Sequence, residues 1–431
     1  MKLQLCCYFL VCLIMVHAPV TGQPAASIVS TEKGQLIRNG KPYYFVGANY
    51  WYGGVASLGE AGRRRIVSEL DFLQRKGVTN LRVLAAAEGR GLINGMRRVE
   101  PPYQHPQGVF DESVLEGLDF LLSEMRKRDM TAVLFLTNNW DWSGGFLQYL
   151  NWNDLLPDSV MRRKLTWDEN RDIVSRFYTC SRCMNALGVQ IKKLVGRVNS
   201  ITGVAYKDDP TIMSWELANE PRPMRPSAID AYLEWVKTAA TLIRSIDAKH
   251  LVTVGSEGEM GSETMAVFEK AHALPQIDYA TIHIWPKNWG WFSDTAIARG
   301  MPQIIQNSDS YIQKHVAVMQ ALGKPLVIEE FGLPRDGHSF SILAPTSLRD
   351  NYYASVFAHL LRSAGRGGIV AGCNFWAFGG MGRPAPGRIF WQPGDDLLGD
   401  PPQEEQGLNA VFDQDESTWV LIHSITAALK K

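Results

Sequence analysis

Short runs of β-branched and apolar residues alternate with longer amphipathic stretches, and this alternation restricts the possible folds of the chain more than any other feature. We predict strands at residues 44–49, 80–84, 132–137, 212–218, 251–255, 279–284, 326–330 and 368–376. We predict helices at residues 63–75, 114–128, 171–198, 228–246, 308–322 and 348–363. Strands that alternate with helices form a parallel sheet. Eight such strands indicate an α/β fold of the (β/α)8 TIM barrel type, which needs about 250 residues and tolerates long βα loops.

The length of the chain allows more than one domain arrangement. A chain of 431 residues can form one large domain or two to three ordinary ones. Apolar residues make up 45% of it, which is enough for a large core, and we recognise neither a Pro/Ser-rich linker nor a separate binding module. We therefore predict that residues 23–431 form a single barrel domain with extended βα loops.

The first residues have the pattern of a secretory signal peptide. Lys2 supplies the positive charge, residues 3–16 form an apolar stretch, and Val20 and Gly22 are small enough for a cleavage site. The alternative is a membrane anchor, but the apolar stretch is too short to span a bilayer. We predict that residues 1–22 are removed and that the mature protein, starting near Gln23, is secreted to the extracellular space.

Secretion changes the interpretation of the cysteines. Three of the six lie in the predicted signal peptide, which leaves Cys180, Cys183 and Cys373. In an oxidising compartment, Cys180 and Cys183 are expected to form a local disulfide. A redox-active pair would need a thioredoxin-like strand before it, and a zinc site would need two further ligands nearby. Cys373 lies in an apolar run and is predicted to be a buried free thiol.

The charge balance narrows the range of partners. Lysine plus arginine and aspartate plus glutamate are equal at 44 each, without a long run of one sign. This balance argues against a nucleic-acid or anionic-membrane surface. The sequence lacks the phosphate-binding, dinucleotide-binding and zinc-protease motifs. We expect a monomer without a cofactor or metal ion.

The predicted strand ends carry an unusual set of side chains. Catalytic residues of this barrel class lie at the carboxyl ends of the strands. At those ends we find amides, flat aromatic rings, cations and carboxylates: Trp51, Arg82, Asn138, Asn219, Glu220, His283, Trp285, Glu330 and Trp376. Groups that hydrogen-bond hydroxyls, beside rings on which sugars stack, favour a carbohydrate site.

Two of the carboxylates suit the hydrolysis of a glycosidic bond. Glu220 ends the fourth strand and Glu330 the seventh, so they can face each other across the barrel mouth. One carboxyl can then protonate the leaving oxygen while the other attacks the sugar or activates water. A single glutamate at a strand end is often only an ion-pair partner, but two of them with Asn219 and Arg82 favour catalysis. Side chains alternate between the two faces of a strand, which places Glu329 on the opposite face from Glu330. We therefore do not expect Glu329 to share the role of Glu330.

Several motifs resemble glycoside hydrolase family 5, in the barrel clan A. The resemblance covers nearly the whole mature chain and rests on "NLRV" (80–83), "WELANEPR" (215–222), "HIW" (283–285), "IEEFG" (328–332) and "NFWAF" (374–378). The stretches "TNNWDWSGGFLQYLNW" (137–152) and "DPPQEEQGLNAVFDQDEST" (400–418) are most similar to the endo-β-1,4-mannanase branch. The resemblance implies a retaining enzyme that cleaves internal bonds of β-mannan, glucomannan or galactomannan.

The resemblance also implies roles for individual residues. It makes Glu220 the general acid/base and Glu330 the nucleophile. The other matched residues have binding or orienting roles: Asn219 at the 2-hydroxyl of the reacting sugar, Arg82 beside the nucleophile, His283 near the acid/base, Trp376 under the reacting sugar and Arg222 near the leaving group.

Two positions separate this chain from other members. Many members have His-x-Tyr, whose phenol donates to the nucleophile, but this chain has Trp285, which can donate and cannot accept. Asn138 stands where cellulase-like members often have histidine, which favours the mannanase branch. Four further tryptophans could line outer sugar subsites or simply pack: Trp51, Trp140, Trp289 and Trp291.

Alternative functions remain open at this point. A β-1,4-glucanase of the same family would share the barrel and both glutamates. A non-catalytic lectin-like barrel would bind polysaccharide through its tryptophans, and a secreted interaction protein would need neither glutamate. Release of reducing sugar separates an enzyme from the last two.

Overall fold

The predicted (β/α)8 barrel is confirmed by a computed structural model, which describes residues 27–430; the predicted signal peptide lies outside these residues. The eight barrel strands are β1 (Phe45–Asn49), β2 (Asn80–Leu84), β3 (Thr131–Phe135), β4 (Ile212–Glu216), β5 (Leu251–Thr253), β6 (Ala280–Ile284), β7 (Leu326–Phe331) and β8 (Val370–Phe375). They are parallel and form one sheet in the order β5-β4-β3-β2-β1-β8-β7-β6. Between β5 and β6, the backbone N–H of Asp278 donates to the carbonyl of Val252 over 2.9 Å. The sheet is therefore a nearly closed barrel.

A helix follows each barrel strand. The helices are α1 (Gly59–Lys76), α2 (Glu112–Lys127), α3 (Ser181–Val195), α4 (Ile229–Ile246), α5 (Met265–Ala273), α6 (Ile297–Leu322), α7 (Ser347–Ala364) and α8 (Glu416–Leu429). Local chemistry explains several of their ends. The side chain of Asp111 accepts the backbone N–H of Ser113 at the start of α2, and Gly77 ends α1 in a left-handed conformation with φ of 82°.

The predicted helix at 171–198 is divided in the structure. A helix at Trp167–Ser175 leads into a 3-10 turn at Arg176–Thr179, and α3 begins only after Cys180. Cys180 has an extended backbone, and a disulfide joins it to Cys183 across the first turn of α3, with Cα atoms 5.2 Å apart. Apolar residues on both sides of the break pack into the same core, so the helical period alone does not reveal it.

The amino-terminal end of the barrel is closed by an antiparallel sheet of three short strands, Ser30–Glu32, Gln35–Arg38 and Lys41–Pro42. Leu36 from this sheet packs with Phe45, Met213 and other inward residues of the barrel. Because this end is filled, a site can open only at the carboxyl end of the strands.

The longest connection at the open end is the β8 loop (residues 376–415). Its ends pair as two short parallel strands, Phe378–Gly380 and Val411–Phe412. The carboxylate of Asp400 accepts the backbone N–H of Gly407, and buried Asp415 pairs with Arg335 and Arg349. These contacts fix the loop firmly over the barrel mouth.

Within residues 27–430, no helix combines the length and the apolarity needed to cross a membrane. Cys373 is free and buried in β8.

Candidate active site

A cavity of about 670 Å³ opens at the carboxyl end of the barrel. Its volume is within the range of small-molecule sites. The residues around it are Trp140, Asp141, Trp142, Trp167, Asn219, Glu220, Arg222, Glu257, Met260, Trp285, Asn288, Trp289, Glu330, Trp376, Gln403 and Glu404.

Glu220 reaches this cavity through a strained backbone. Its φ of 51° lies in the left-handed region, which is uncommon for a residue with a side chain. The backbone N–H of Glu220 donates to the carbonyl of Gly255 over 2.9 Å. Gly255 itself has φ of 80°, and a Cβ there would lie 2.1 Å from the carbonyl oxygen of Ala218. The close approach of the loops after β4 and β5 therefore requires glycine and orients Glu220.

Two groups hold the carboxylate of Glu220. The indole N–H of Trp140 donates to one oxygen, and Nδ1 of His283 lies 2.6 Å from the other. Burial lowers the pKa of His283 to about 4, so this imidazole is neutral at physiological pH. Burial also raises the pKa of Glu220, against the opposing charge of Arg222.

Arg82 and Trp285 hold the carboxylate of Glu330. The Arg82 guanidinium donates to one oxygen, and the Trp285 indole donates to the other over 3.0 Å. Trp285 thus donates to Glu330, the contact that the resemblance to family 5 implies for a tyrosine at this position. Burial raises the pKa of Glu330 well above its usual range, and the charge of Arg82 opposes that rise.

Glu220 and Glu330 lie close enough to influence each other. One carboxylate oxygen of each lies within 4.8 Å of the other. Both carboxyls are buried, and the negative charge of one raises the pKa of the other. The two groups therefore titrate as a pair. Together with His283, the two glutamates are spaced closely enough to hold a metal ion. Indole and guanidinium donors already occupy their carboxylate oxygens, however, and this donor set suits a metal-free carboxylate pair.

Arg82 is the central cation below the cavity. Its guanidinium lies 2.6 Å from Glu216 and 3.4 Å from Glu329, in addition to Glu330. Glu329 does not line the cavity, but it lies nearer to the site than strand alternation predicts, because it also approaches Nε2 of His283 at 3.4 Å. The register of β6 against β7 shifts at His283, which accounts for this position.

Three predicted binding residues lie behind the cavity wall instead of lining it. Arg82, Asn138 and His283 are fully buried. Asn138 accepts a hydrogen bond from the side chain of Asn219 over 3.1 Å and another from the backbone of Trp140 over 2.9 Å. These residues orient Asn219, Glu220 and Glu330, which do reach the cavity.

The cavity wall on the Glu220 side is aromatic and cationic. Arg222 pairs with Glu257 over 2.7 Å and lies over the rings of Trp140 and Trp167, at 4.9 and 5.9 Å. Glu257 and Trp167 were not predicted as site residues. Glu257 lies two residues after the predicted strand at 251–255, so its place at a strand end was a signal, although no role was assigned to it. Trp167 lies in a helix far from any strand end and has no such signal.

The wall on the Glu330 side is formed by Trp376 and the β8 loop. Trp376 packs edge-on against Trp285, with ring centroids 5.5 Å apart. Gln403 and Glu404 reach the same cavity from the β8 loop. They were also missed, because they lie far along the chain from the end of β8.

The outer tryptophans divide into two groups. Trp140 and Trp289 line the cavity, whereas Trp291 packs on Trp289 with centroids 5.0 Å apart and does not line it. The predicted sugar contact of Trp51 is corrected by the structure. Trp51 is 1% exposed, packs on Trp142 and donates its indole N–H to the carbonyl of Gly399 over 2.8 Å. It supports the β8 loop from below.

Comparisons with known proteins show the family to which the chain belongs. The model of the "GH family 5 beta-mannosidase-like" family matches residues 26–431. Mannan endo-1,4-beta-mannosidase 4 of Solanum lycopersicum is 31% identical over 370 residues, which cover 83% of this chain and 84% of the tomato protein. Mannan endo-1,4-beta-mannosidase 7 of Arabidopsis thaliana is 32% identical, over 82% of this chain and 78% of its own length.

Solved structures show the same relationship. The glycoside hydrolase family 5 mannosidase from Rhizomucor miehei is 32% identical with a TM-score of 0.83, covering 94% of this chain and 97% of its own. A variant of that enzyme was solved in complex with mannosyl-fructose, and its TM-score is 0.82. The chain described here is therefore a glycoside hydrolase that belongs to family 5, in its β-mannosidase-like group.

Proposed function

We propose that this enzyme hydrolyses β-1,4-mannosidic bonds of mannan, glucomannan or galactomannan with retention of configuration. The observation that carries the mechanism is the distance of at most 4.8 Å between a carboxylate oxygen of Glu220 and one of Glu330. Retaining enzymes hold their two carboxyl groups about 5–5.5 Å apart, whereas inverting enzymes leave about 6.5–9.5 Å for a water molecule. The short separation favours direct attack by a carboxylate.

Glu330 is the proposed nucleophile. Burial raises the pKa of both carboxyls, and that of Glu330 the more. We nevertheless assign the proton of the pair to Glu220, because the Arg82 guanidinium and the Trp285 indole both donate to Glu330 and stabilise its ionised form. Glu330 attacks the anomeric carbon as the bond to the leaving oxygen breaks, and Glu220 gives its proton to that oxygen. Glu220 then takes a proton from water, whose oxygen attacks the anomeric carbon and releases Glu330.

The walls of the cavity suit the two sides of the cleaved bond. Because Glu220 protonates the leaving oxygen, the adjacent wall of Arg222, Trp140 and Trp167 faces the leaving-group sugar. Trp376 packs against Trp285, which contacts the nucleophile, so Trp376 lies under the sugar that is attacked. Asn219 lines the cavity beside Glu220 and can hydrogen-bond the 2-hydroxyl of that sugar.

Mannan as the substrate class is supported by the relatives. The tomato and Arabidopsis proteins are named mannan endo-1,4-beta-mannosidases. The sequence-based prediction of internal cleavage follows the same branch. The rival substrate within the family is a β-1,4-glucan.

The test compares two polysaccharides and two isosteric variants. Reducing-sugar release from β-1,4-mannan and from carboxymethyl cellulose distinguishes a mannanase from a glucanase. Glu330→Gln and Glu220→Gln should each abolish most turnover on mannan while the thermal unfolding midpoint stays close to that of the unmodified protein. Proton NMR of the first product should show the β-anomer. An α-anomer, or near-normal turnover of either variant, would refute the mechanism.

Secretion is part of the proposal. Residues 1–22 have the pattern of a signal peptide, and a disulfide between Cys180 and Cys183 suits an oxidising compartment. Expression of the full chain in a eukaryotic host, followed by amino-terminal sequencing, should find the mature protein in the medium with a start near Gln23. We also propose that it is a monomer, which light scattering would test.

A further inference from the structure

Glu88 is a buried carboxylate that lies outside the catalytic cavity. It follows the end of β2 and is 0% exposed. Among residues 27–430, no lysine, arginine or histidine forms an ion pair with its carboxylate, and the guanidinium of Arg98 donates instead to its backbone carbonyl over 3.0 Å. Burial raises the pKa of Glu88 to about 7, against three hydrogen bonds and the charge of Arg98. Holding a carboxylate in such a place costs free energy, so its presence calls for an explanation.

Three donors surround the carboxylate of Glu88. The side chains of Gln190, in α3, and of Thr137 donate to Oε1 over 2.8 and 3.2 Å. The backbone N–H of Gly145 donates to Oε2 over 3.0 Å. The same nitrogen of Gln190 also donates to the carbonyl of Leu136 over 2.7 Å, which fixes the orientation of that amide. Both oxygens of Glu88 therefore have to accept hydrogen bonds.

An ionised carboxylate fits this arrangement better than a neutral side chain of the same size. A glutamine at position 88 would have one accepting oxygen and one donating nitrogen. Whichever way its amide turned, the nitrogen would face another donor, either Gly145 or Gln190. The structure thus keeps a buried negative charge at Glu88, and this charge holds the β3 loop (residues 136–145).

Glu88 holds the β3 loop at both ends. Thr137 precedes and Gly145 follows the stretch whose side chains line the catalytic cavity, which is Trp140, Asp141 and Trp142. The backbone N–H of Glu88 also donates to the carbonyl of Ser143 over 2.7 Å. Gly144 has φ of 102°, and a Cβ there would lie 2.1 Å from the carbonyl oxygen of Glu88. The β3 loop therefore packs directly on Glu88.

The β3 loop brings a hydrogen-bond donor to the proposed acid/base. The indole N–H of Trp140 donates to the carboxylate of Glu220. This bond stabilises the ionised form, so it opposes the rise in pKa that burial causes at Glu220. The position of the indole depends on the backbone between Thr137 and Gly145, which Glu88 holds.

We propose that Glu88 is a positioning residue for the hydrolysis, because it fixes the β3 loop so that the indole of Trp140 stays on Glu220. The inference rests on the proposed function, in which Glu220 protonates the leaving oxygen. Glu88 does not touch the substrate, since it is buried below the β3 loop and does not line the cavity. Its effect on the reaction passes through Trp140.

The alkaline limb of the kcat/KM profile reports this role. At high pH, kcat/KM falls as Glu220 loses the proton that it gives to the leaving oxygen. Glu88→Gln should displace Trp140, raise the pKa of Glu220 and move the alkaline limb to higher pH by about one unit. It should also lower kcat for β-1,4-mannohexaose about tenfold, with a smaller change in KM, because the acid is less well oriented. Kinetics from pH 4 to 10 would measure both effects.

A double variant shows whether Glu88 acts through the indole. Trp140→Phe removes the donor, so it should move the alkaline limb to higher pH by itself. Adding Glu88→Gln to Trp140→Phe should then cause no further shift. A second shift of the same size in the double variant would overturn the inference. Glu88→Asp keeps two accepting oxygens and should recover part of the activity and of the alkaline limb.

Asp119→Asn is the matched control. Asp119 is also a carboxylate with 0% exposure, but it lies in α2, where it pairs with Arg197 over 2.7 Å and does not line the cavity. Its substitution should lower the thermal unfolding midpoint and leave the alkaline limb in place. If Glu88→Gln likewise lowers the midpoint without moving the limb, the role of Glu88 is only structural and the inference is wrong.

The other charged or titratable groups that face Glu220 remain in place in Glu88→Gln. These groups are Arg82, Glu216, Arg222, Glu257, His283, Glu330 and Glu404. Within the described part of the chain, none of them forms a hydrogen bond or an ion pair with Glu88. A shift of the alkaline limb in this variant therefore reports the displaced indole.

A second variant keeps the inference testable if Glu88→Gln does not fold. Thr137→Val removes one of the three donors to Glu88, so it should move the alkaline limb in the same direction by a smaller amount. An unmoved limb in this variant would refute the role of Glu88 while the proposed function stands. If the unmodified protein does not cleave mannohexaose, the proposed function itself is rejected.

Discussion

The hydrogen bond from Trp285 to Glu330 gives a prediction whose size can be worked out from the structure. The indole donates over 3.0 Å to a buried carboxylate whose other oxygen is held by Arg82. Trp285→Phe keeps a ring but removes this donor. A hydrogen bond to a charged group contributes about 1.5–3 kcal/mol. Since 1.4 kcal/mol corresponds to a factor of ten, kcat/KM should fall by roughly 10- to 100-fold.

The pH dependence of this variant has a definite sign. Burial raises the pKa of Glu330, and the indole N–H counteracts the rise by stabilising the ionised form. Without the donor, the pKa of Glu330 rises further, so a smaller fraction is ionised at a given pH. The acid limb of the kcat/KM profile should therefore move to higher pH by about one to two units, because one unit corresponds to about 1.36 kcal/mol.

Two further variants make the test specific. Trp285→Tyr places a phenol that can donate to Glu330, and it should restore much of the activity and move the acid limb back. Trp289→Phe changes another tryptophan of the same cavity, and it should leave the acid limb in place. Kinetics on a mannooligosaccharide from pH 4 to 9 would measure all three variants. An unshifted acid limb in Trp285→Phe would refute the role assigned to this donor.

Three other substitutions should act on stability. Arg222→Met leaves Glu257, 2% exposed, without its cation, and should lower the free energy of unfolding by about 3 kcal/mol at pH 8 in urea titrations. The loss should shrink toward pH 5, because burial raises the pKa of Glu257 and the unpaired group takes up a proton; an equal loss at both pH values would contradict this. Burial tends to raise the pKa of Asp247, but hydrogen bonding and charge from His250 lower it to about 2, below its unfolded value. Its stabilisation is therefore fully present above about pH 4 and lost as the pH falls through about 2, so Asp247→Asn should cost about 1–2 kcal/mol at pH 6 and less than half of that at pH 2.5. Gly255→Ala should lower the unfolding midpoint by several degrees and reduce activity, because its Cβ would collide with the carbonyl of Ala218; normal activity would show that the loops can move apart.

The sequence was most informative where structure depends on local pattern. Each predicted barrel strand corresponds to an observed one, because apolar β-branched runs between helices leave little choice of structure. Glu220 and Glu330 reach one cavity because Glu220 follows β4 and Glu330 lies at the carboxyl end of β7, and all the carboxyl ends of the strands of a barrel lie at one side. The prediction of one helix at 171–198 was wrong at Cys180, because the backbone there is extended although the helical spacing of apolar residues continues.

The sequence was least informative where contacts join distant parts of the chain. Trp51 follows a strand end, as a binding residue would, but the carbonyl of Gly399 in the β8 loop accepts its indole N–H and removes it from the cavity. Glu404 has no strand end near it and enters the site only because the β8 loop folds back. Neither position follows from periodicity, since both depend on how that long loop packs.

The environment of Arg82 shows why the site also depends on residues that never touch substrate. One guanidinium contacts Glu216, Glu329 and Glu330, and all four groups are buried. Three buried carboxylates around one cation cannot all be ionised at low cost, and burial raises the pKa of each. The planar fork of arginine can hold Glu216 through two nitrogens and still reach Glu330 with the third, which a lysine ammonium could not do in the same geometry. Arg82 thus orients the proposed nucleophile by tying it to β2 and β4, and Glu216 belongs to that support although it lies outside the cavity.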